Sequence, residues 1–208
     1  MSDDLKGPTT TTVEINGFPC RVWTKGQGPK LGFLAGLAGA DLLGASVGGA
    51  FAAEMAAIFP GHVRKLALIA PFGLFDDKEP AADPWAQRKD ELPGVMCADA
   101  AKWTALVAPP DGANSVEWPI EMTRASEAAA RAFWPLGNTR LEKRLGLIAA
   151  PTLILWGERD AVLPPAYANK FAKGINGATK VQMVADAGHL AYLDQPDAVA
   201  RAVLSHFA

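Results

Sequence analysis

The segment Leu42-Leu43-Gly44-Ala45-Ser46-Val47-Gly48-Gly49 joins a short apolar run to a glycine-rich turn, and small and apolar residues then continue to Phe59 before Pro60-Gly61. A short apolar run that stops at glycine fits a buried parallel strand. The stretch from Ser46 to Phe59, with Glu54 as its one charge, reads as a helix closed by Pro60-Gly61. Gly44-Ala45-Ser46-Val47-Gly48 fits the pattern G-x-S-x-G, standing where strand gives way to helix. A serine on so sharp a turn is held in strained backbone geometry that only small neighbours permit, hence glycine at both flanks. The plainer alternative is that Ser46 caps a helix after an ordinary glycine-rich turn.

Outward from this segment, strand and helix alternate. On the N-terminal side, Thr11 to Val22 surrounds Asn16-Gly17, a pair that tolerates the positive φ of a tight turn, and predicts a β-hairpin. Leu31 to Ala35 predicts a further short strand ending at Gly36-Leu37-Ala38-Gly39. On the C-terminal side, Val63 to Ala70, Pro151 to Trp156 and Val181 to Val184 read as strands. Pro165 to Lys173 reads as a helix with proline in its first turn, and Pro196 to Phe207 as a final amphipathic helix. This alternation predicts an α/β fold with a mostly parallel sheet flanked by helices.

Residues 71–149 break the rhythm with eight prolines, at 71, 80, 84, 93, 109, 110, 119 and 135, and four of the six tryptophans. They read as a helical insertion between two parts of one core, residues 1–70 and 150–208. Trp85, Trp103, Trp118 and Trp134 could line an apolar pocket over the sheet edge or pack the insertion's own interior. The chain has 208 residues, a length that suits one core with an inserted subdomain.

A serine nucleophile needs a base. Of the three histidines, His62 follows a helix stop and His206 lies two residues from the end, both surface positions by their surroundings. His189, in Asp186-Ala187-Gly188-His189, follows a strand-like run, and loops at strand ends are where an open α/β sheet places its chemistry. A carboxylate is needed to fix the imidazole tautomer and stabilise the imidazolium. Asp160, just past the strand in Trp156-Gly157-Glu158-Arg159-Asp160, is the candidate, with Glu158 and Asp186 as substitutes and a turn or cap aspartate as the non-catalytic alternative.

With Ser46, Asp160 and His189 in that order, the chain resembles the α/β-hydrolase superfamily from about residue 11 to the C-terminus. The resemblance rests on Gly44 to Gly48, the strand and Gly-Glu-Arg-Asp run at 152–160, and Ala187-Gly188-His189. It implies a helical cap at 71–149 and an esterase-like serine hydrolase with Ser46 as nucleophile, His189 as base and Asp160 orienting it. It implies the Val47 N–H as one oxyanion donor. The family's second donor sits in a loop commonly opening His-Gly; here the matching stretch is Ala35-Gly36-Leu37-Ala38-Gly39, and the Leu37 N–H takes that place.

One departure is large. The family carries a helix, a strand and another helix between that loop and the nucleophile strand, whereas this chain has only Gly36 to Ala40. Parallel neighbours need a crossover of about a dozen residues, and five extended residues reach roughly 17 Å. A shortened protein, an error in the gene model and omitted residues would each give this pattern. A continuous chain of this kind predicts a sheet missing its wall on that side, an exposed apolar flank and impaired activity.

Charge excludes some partners: 20 basic against 22 acidic residues, net −2, leave no footprint for nucleic acid or an anionic membrane. Cys20 and Cys97 are far apart and in no metal-ligand spacing, and neither metal nor cofactor is implied. The opening Met1-Ser2-Asp3-Asp4 lacks a signal-peptide profile, which points to a cytoplasmic protein. The leading function is hydrolysis of a small, largely apolar ester through an acyl-enzyme, with thioester or carbon–carbon cleavage open to the same residues. Two alternatives are a truncated hydrolase fold that only binds, and a dinucleotide-binding oxidoreductase using Gly44 to Gly49 to cradle phosphate. The latter lacks full G-x-G-x-x-G spacing and an acid after Leu68-Ile69-Ala70-Pro71.

Overall fold

A computed structural model describes residues 9–15, 18–24, 39–134 and 137–208. The Asn16-Gly17 turn, the strand expected at Leu31 to Ala35 and the donor loop with Leu37 lie outside the described residues. The chain divides into two compact units, residues 1–33 and 34–208.

The first unit holds an antiparallel hairpin, β1 (Thr9–Ile15) against β2 (Phe18–Thr24), in register from Thr9 opposite Thr24 to Ile15 opposite Phe18. The expected hairpin is present. Its strands leave two residues between them, the loop length that Asn-Gly favours.

The second unit is built on a four-stranded parallel sheet in the order β3 (Ala40–Ala45), β4 (Val63–Ile69), β5 (Thr152–Gly157), β6 (Thr179–Val184). Between β3 and β4 runs α1 (Ser46–Ile58), and between β5 and β6 runs α5 (Ala166–Gly174). After β6 come the single turn α6 (Ala191–Asp194) and α7 (Pro196–Phe207). Every strand and helix expected after residue 40 is present, with ends shifted by one or two residues.

The two sheet faces explain the near-continuous apolar strands. Leu66, Leu68, Ile154 and Trp156 pack with Ala53 and Ala56 of α1 and Phe171 of α5. The alternate residues Ala67, Ile69, Leu153 and Leu155 face Val199 and Val203 of α7. Because successive side chains of a strand point to opposite faces, a central strand covered on both sides cannot alternate apolar with polar. Each large aliphatic side chain so buried contributes about 1.5–3 kcal/mol.

Between β4 and β5 the chain forms α2 (Leu92–Met96), α3 (Ala100–Val107), α4 (Glu117–Phe133) and two 3-10 turns, with no strand among the described residues. The start of this segment is pinned to the second half of the chain. The Asp76 N–H donates to the Tyr167 hydroxyl at 2.8 Å, that hydroxyl donates to the Glu79 carbonyl at 2.9 Å, and Lys170 pairs with Asp76. This pairing holds the Asp76 carboxyl below, and the Lys170 ammonium above, its ordinary pKa. Its far end is held by Arg144, which grips Glu54 of α1 with two guanidinium nitrogens.

β3 is the outer strand of the sheet among the described residues. Leu43 on it is 53% exposed, and Phe51, Ile58 and Phe59 are exposed along α1 and its end.

Candidate active site

Ser46 begins α1 directly from the end of β3, and it does so at φ 51°. For a residue with a Cβ this left-handed conformation costs on the order of 1–3 kcal/mol and persists only where its surroundings enforce it. They do so here. The Ser46 carbonyl accepts the Phe72 N–H at 2.9 Å, which ties the turn to the segment leaving β4. A Cβ on Gly44 would lie 2.4 Å from the Gly48 carbonyl oxygen, so only glycine lets the strand end meet the helix.

The other flanking glycine corrects the sequence reading. A Cβ on Gly48 would meet nothing within 4 Å among the described residues, whereas one on Gly49 would lie 2.8 Å from Pro71 Cβ and 2.9 Å from Pro71 Cα. The close approach that demands glycine is therefore at 44 and 49, not at 44 and 48. The capping alternative for Ser46 also fails. Ala45 holds the cap position, with no side-chain cap, and the serine hydroxyl points elsewhere.

It points at His189. The Ser46 hydroxyl lies 2.8 Å from His189 Nε2, and His189 Nδ1 lies 3.0 Å from Asp160 Oδ2. The histidine and the aspartate are both buried. A carboxylate facing Nδ1 keeps the proton on that nitrogen and leaves Nε2 as an acceptor for the serine O–H.

The acid is fixed by its own loop. Asp160 Oδ1 accepts the N–H groups of Val162 and Leu163, each at 2.9 Å, and the Trp156 indole N–H donates to the Leu163 carbonyl at 3.0 Å. These bonds fix the carboxylate by one oxygen and leave Oδ2 aimed at the imidazole. Of the other two acids, Glu158 is exposed and Asp186 pairs with Arg159 at the surface.

The histidine loop is pressed onto the end of β5. A Cβ on Gly157 would sit 2.1 Å from the Gly188 carbonyl oxygen, and the Arg159 N–H donates to the Ala187 carbonyl at 2.9 Å. The other histidines stand apart. His62 is exposed as expected, while His206, read as a surface residue, is half-buried on α7 with its Nε2 unpaired among the described residues.

Val47, the second residue of α1, has an N–H with no partner inside the helix, because the first four N–H groups of any helix lack one. Such a group beside the serine can donate to an anion, aided by the positive end of the helix dipole. The four tryptophans all lie in the 71–149 segment. Trp118 donates its indole N–H to the Val107 carbonyl at 3.0 Å, joining α4 to the end of α3. Trp134, more than half exposed, donates to Asp83 Oδ2 at 2.7 Å, and Asp83 Oδ1 accepts the Trp85 N–H. Trp103 is half-buried on α3. A cavity of about 460 Å³ lies elsewhere, between α7 and the β5–β6 edge.

Among the described residues no group of three or more His, Cys, Asp or Glu side chains could hold a metal ion, and no helix is long and apolar enough to cross a membrane. Sequence reading passed over one buried acid: Asp194, 3% exposed, five residues beyond His189. Nothing about an acid just before Gln195-Pro196 marks it as buried.

Residues 35–196 match the sequence profile of the alpha/beta hydrolase fold. Mouse (Mus musculus) monoacylglycerol lipase ABHD6 is 24% identical over 188 residues, covering 80% of this chain and 54% of the lipase. Carboxylesterase YbfK of Bacillus subtilis is 28% identical over 184 residues, covering 82% of this chain and 58% of the esterase. The crystal structure of a meta-cleavage product hydrolase, CumD, superposes with a TM-score of 0.66 at 18% identity, covering 82% of this chain and 65% of that one. The chain thus spans little more than half the length of these curated relatives, and with a profile match over most of its residues it belongs to the α/β-hydrolase fold family.

Proposed function

We propose that this protein is a serine hydrolase that cleaves a small, largely apolar ester through an acyl-enzyme. The observation that carries this reading is the unbroken chain of contacts from the Ser46 hydroxyl through His189 to Asp160. As the Ser46 oxygen attacks the acyl carbon, its proton passes to His189 Nε2, and Asp160 stabilises the imidazolium. The carbonyl oxygen becomes an oxyanion that accepts the Val47 N–H, with the Leu37 N–H as the second donor. His189 then returns the proton to the leaving alkoxide, and water repeats the cycle on the acyl-enzyme.

Residues 71–149 would serve as a cap over a core formed by 1–70 and 150–208, with Trp85, Trp103, Trp118 and Trp134 supplying apolar surface to the substrate. The lipase and esterase names of the relatives support acyl transfer to water, and thioesters and activated carbon–carbon bonds are open to the same groups.

A second reading has its own support. Among the described residues the sheet ends at β3, where Leu43 is exposed, and a fold shortened at this edge could bind without turnover. Incubation with a fluorophosphonate probe and a panel of short-chain nitrophenyl esters, beside Ser46→Ala, separates the two. Labelling and turnover that vanish together in Ser46→Ala support the hydrolase; a folded protein showing neither supports the binding protein.

A further inference from the structure

Asp194 is a buried carboxylate that the proposed chemistry does not use. An ionised group in such a place costs several kcal/mol unless its oxygens are hydrogen-bonded. Its Oδ2 accepts the Gly188 N–H at 2.7 Å and the Ala98 N–H at 2.8 Å, and its Oδ1 accepts the Asp99 N–H at 3.2 Å. Its own carbonyl accepts the Lys102 ammonium at 2.5 Å. One side chain therefore joins two segments some ninety residues apart in sequence: the junction of α2 with α3, and the residue preceding His189.

The contact is reinforced on the other side of the histidine. The Leu190 N–H donates to the Met96 carbonyl at 2.9 Å, so the residues flanking His189 are both fastened to 96–99. A Cβ on Gly188 would lie 2.7 Å from the Ala98 nitrogen, which shows how closely the two backbones meet. The imidazole's direction follows from this backbone.

We propose that Asp194 is a positioning residue for His189, its carboxylate locking the histidine loop to the helical insertion so that the imidazole stays aimed at Ser46. This rests on the reading of His189 as the base. The insertion would then do more than cover a substrate, because its seating holds the base in place.

The test compares Asp194→Ala and Asp194→Asn with wild type and with Thr152→Val, which removes a buried hydrogen bond at the opposite end of β5. Two readouts apply: the rate of fluorophosphonate labelling with ester kcat and KM, and the far-downfield NMR signal of the His189 Nδ1 proton, which does not depend on turnover. In Asp194→Ala, labelling and kcat should fall on the order of 10–100-fold at near-constant KM, as a slightly misplaced catalytic group requires. The Nδ1 proton signal should broaden or vanish. Asp194→Asn, which keeps an oxygen for Gly188 and Ala98, should recover part of both.

A folded Asp194→Ala with the wild-type proton signal and a rate within about twofold of Thr152→Val would overturn the proposal. If Asp194→Ala does not fold, Asp194→Asn decides, and wild-type behaviour in both readouts refutes it. If wild type itself is not labelled, the hydrolase reading fails, while the proton signal still judges the role of Asp194.

Discussion

The carbonyl oxygen of Gly188 stands 2.1 Å from the point where a Cβ on Gly157 would be, so the end of the central strand and the loop bearing His189 meet backbone to backbone. Gly157→Ala must push that loop away. Overpacking of this kind costs about 1–3 kcal/mol. The larger effect should be on ester turnover, with kcat down on the order of 100-fold through displacement of His189. Parallel melting and steady-state assays check this; a variant that melts lower yet keeps its kcat would show that the contact serves stability alone.

Gly48 and Gly49 should respond oppositely to alanine. Gly48→Ala removes a glycine from a helix where its Cβ meets no described atom, and should leave stability unchanged or raise it by up to about 1 kcal/mol. Gly49→Ala drives a methyl into Pro71 and should destabilise the turn that strains Ser46. Denaturant midpoints of the two variants measure the contrast, and equal losses would contradict it.

Asp160→Asn keeps the shape of the side chain but removes the charge and the acceptor that hold the Nδ1 proton. The imidazole then favours the tautomer that cannot accept from serine, and kcat should fall on the order of 10⁴-fold with the fold intact. Asp186→Asn, which alters only the exposed pair with Arg159, should leave kcat within a factor of a few. Comparable losses in the two would point to a different acid.

The fold and much of this site were legible in the sequence. β3 and α1 follow from Leu42-Leu43 and from the run after Ser46, and the strands of the two-sided core announce themselves as unbroken apolar runs. Asp160 faces His189 Nδ1, whereas Glu158 is exposed and Asp186 pairs with Arg159, a distinction that three acids on neighbouring loops do not show in sequence. Long-range backbone contacts were not legible. The demand for glycine at 49 comes from Pro71, and Asp194 is held by Ala98 and Asp99 as well as by nearby Gly188; Pro71, Ala98 and Asp99 are all far away in sequence.

Cys97 offers a pH test of how residues 96–99 seat against the loop that bears His189. Burial, with Asp194 and Asp99 nearby, pushes its thiol up to about 11 from an ordinary value of 9.0. Between those values the unfolded chain has lost the proton that the native chain retains, so stability should fall as pH rises from 9 to 11. Cys97→Ser should flatten that part of the profile. In native protein at pH 8, mass-spectrometric mapping after iodoacetamide should find Cys97 unmodified, because the thiolate is scarce and the side chain buried. Rapid alkylation would mean that α2 and α3 open readily.

The most direct measurement is covalent labelling of Ser46 by a fluorophosphonate, mapped by mass spectrometry in wild type, Ser46→Ala and His189→Ala. The account predicts one phosphonyl adduct on Ser46, absent from Ser46→Ala and slowed at least on the order of 10³-fold in His189→Ala. A folded wild-type protein that takes no label, or takes it on another residue, would contradict the assignment of Ser46 as an activated nucleophile.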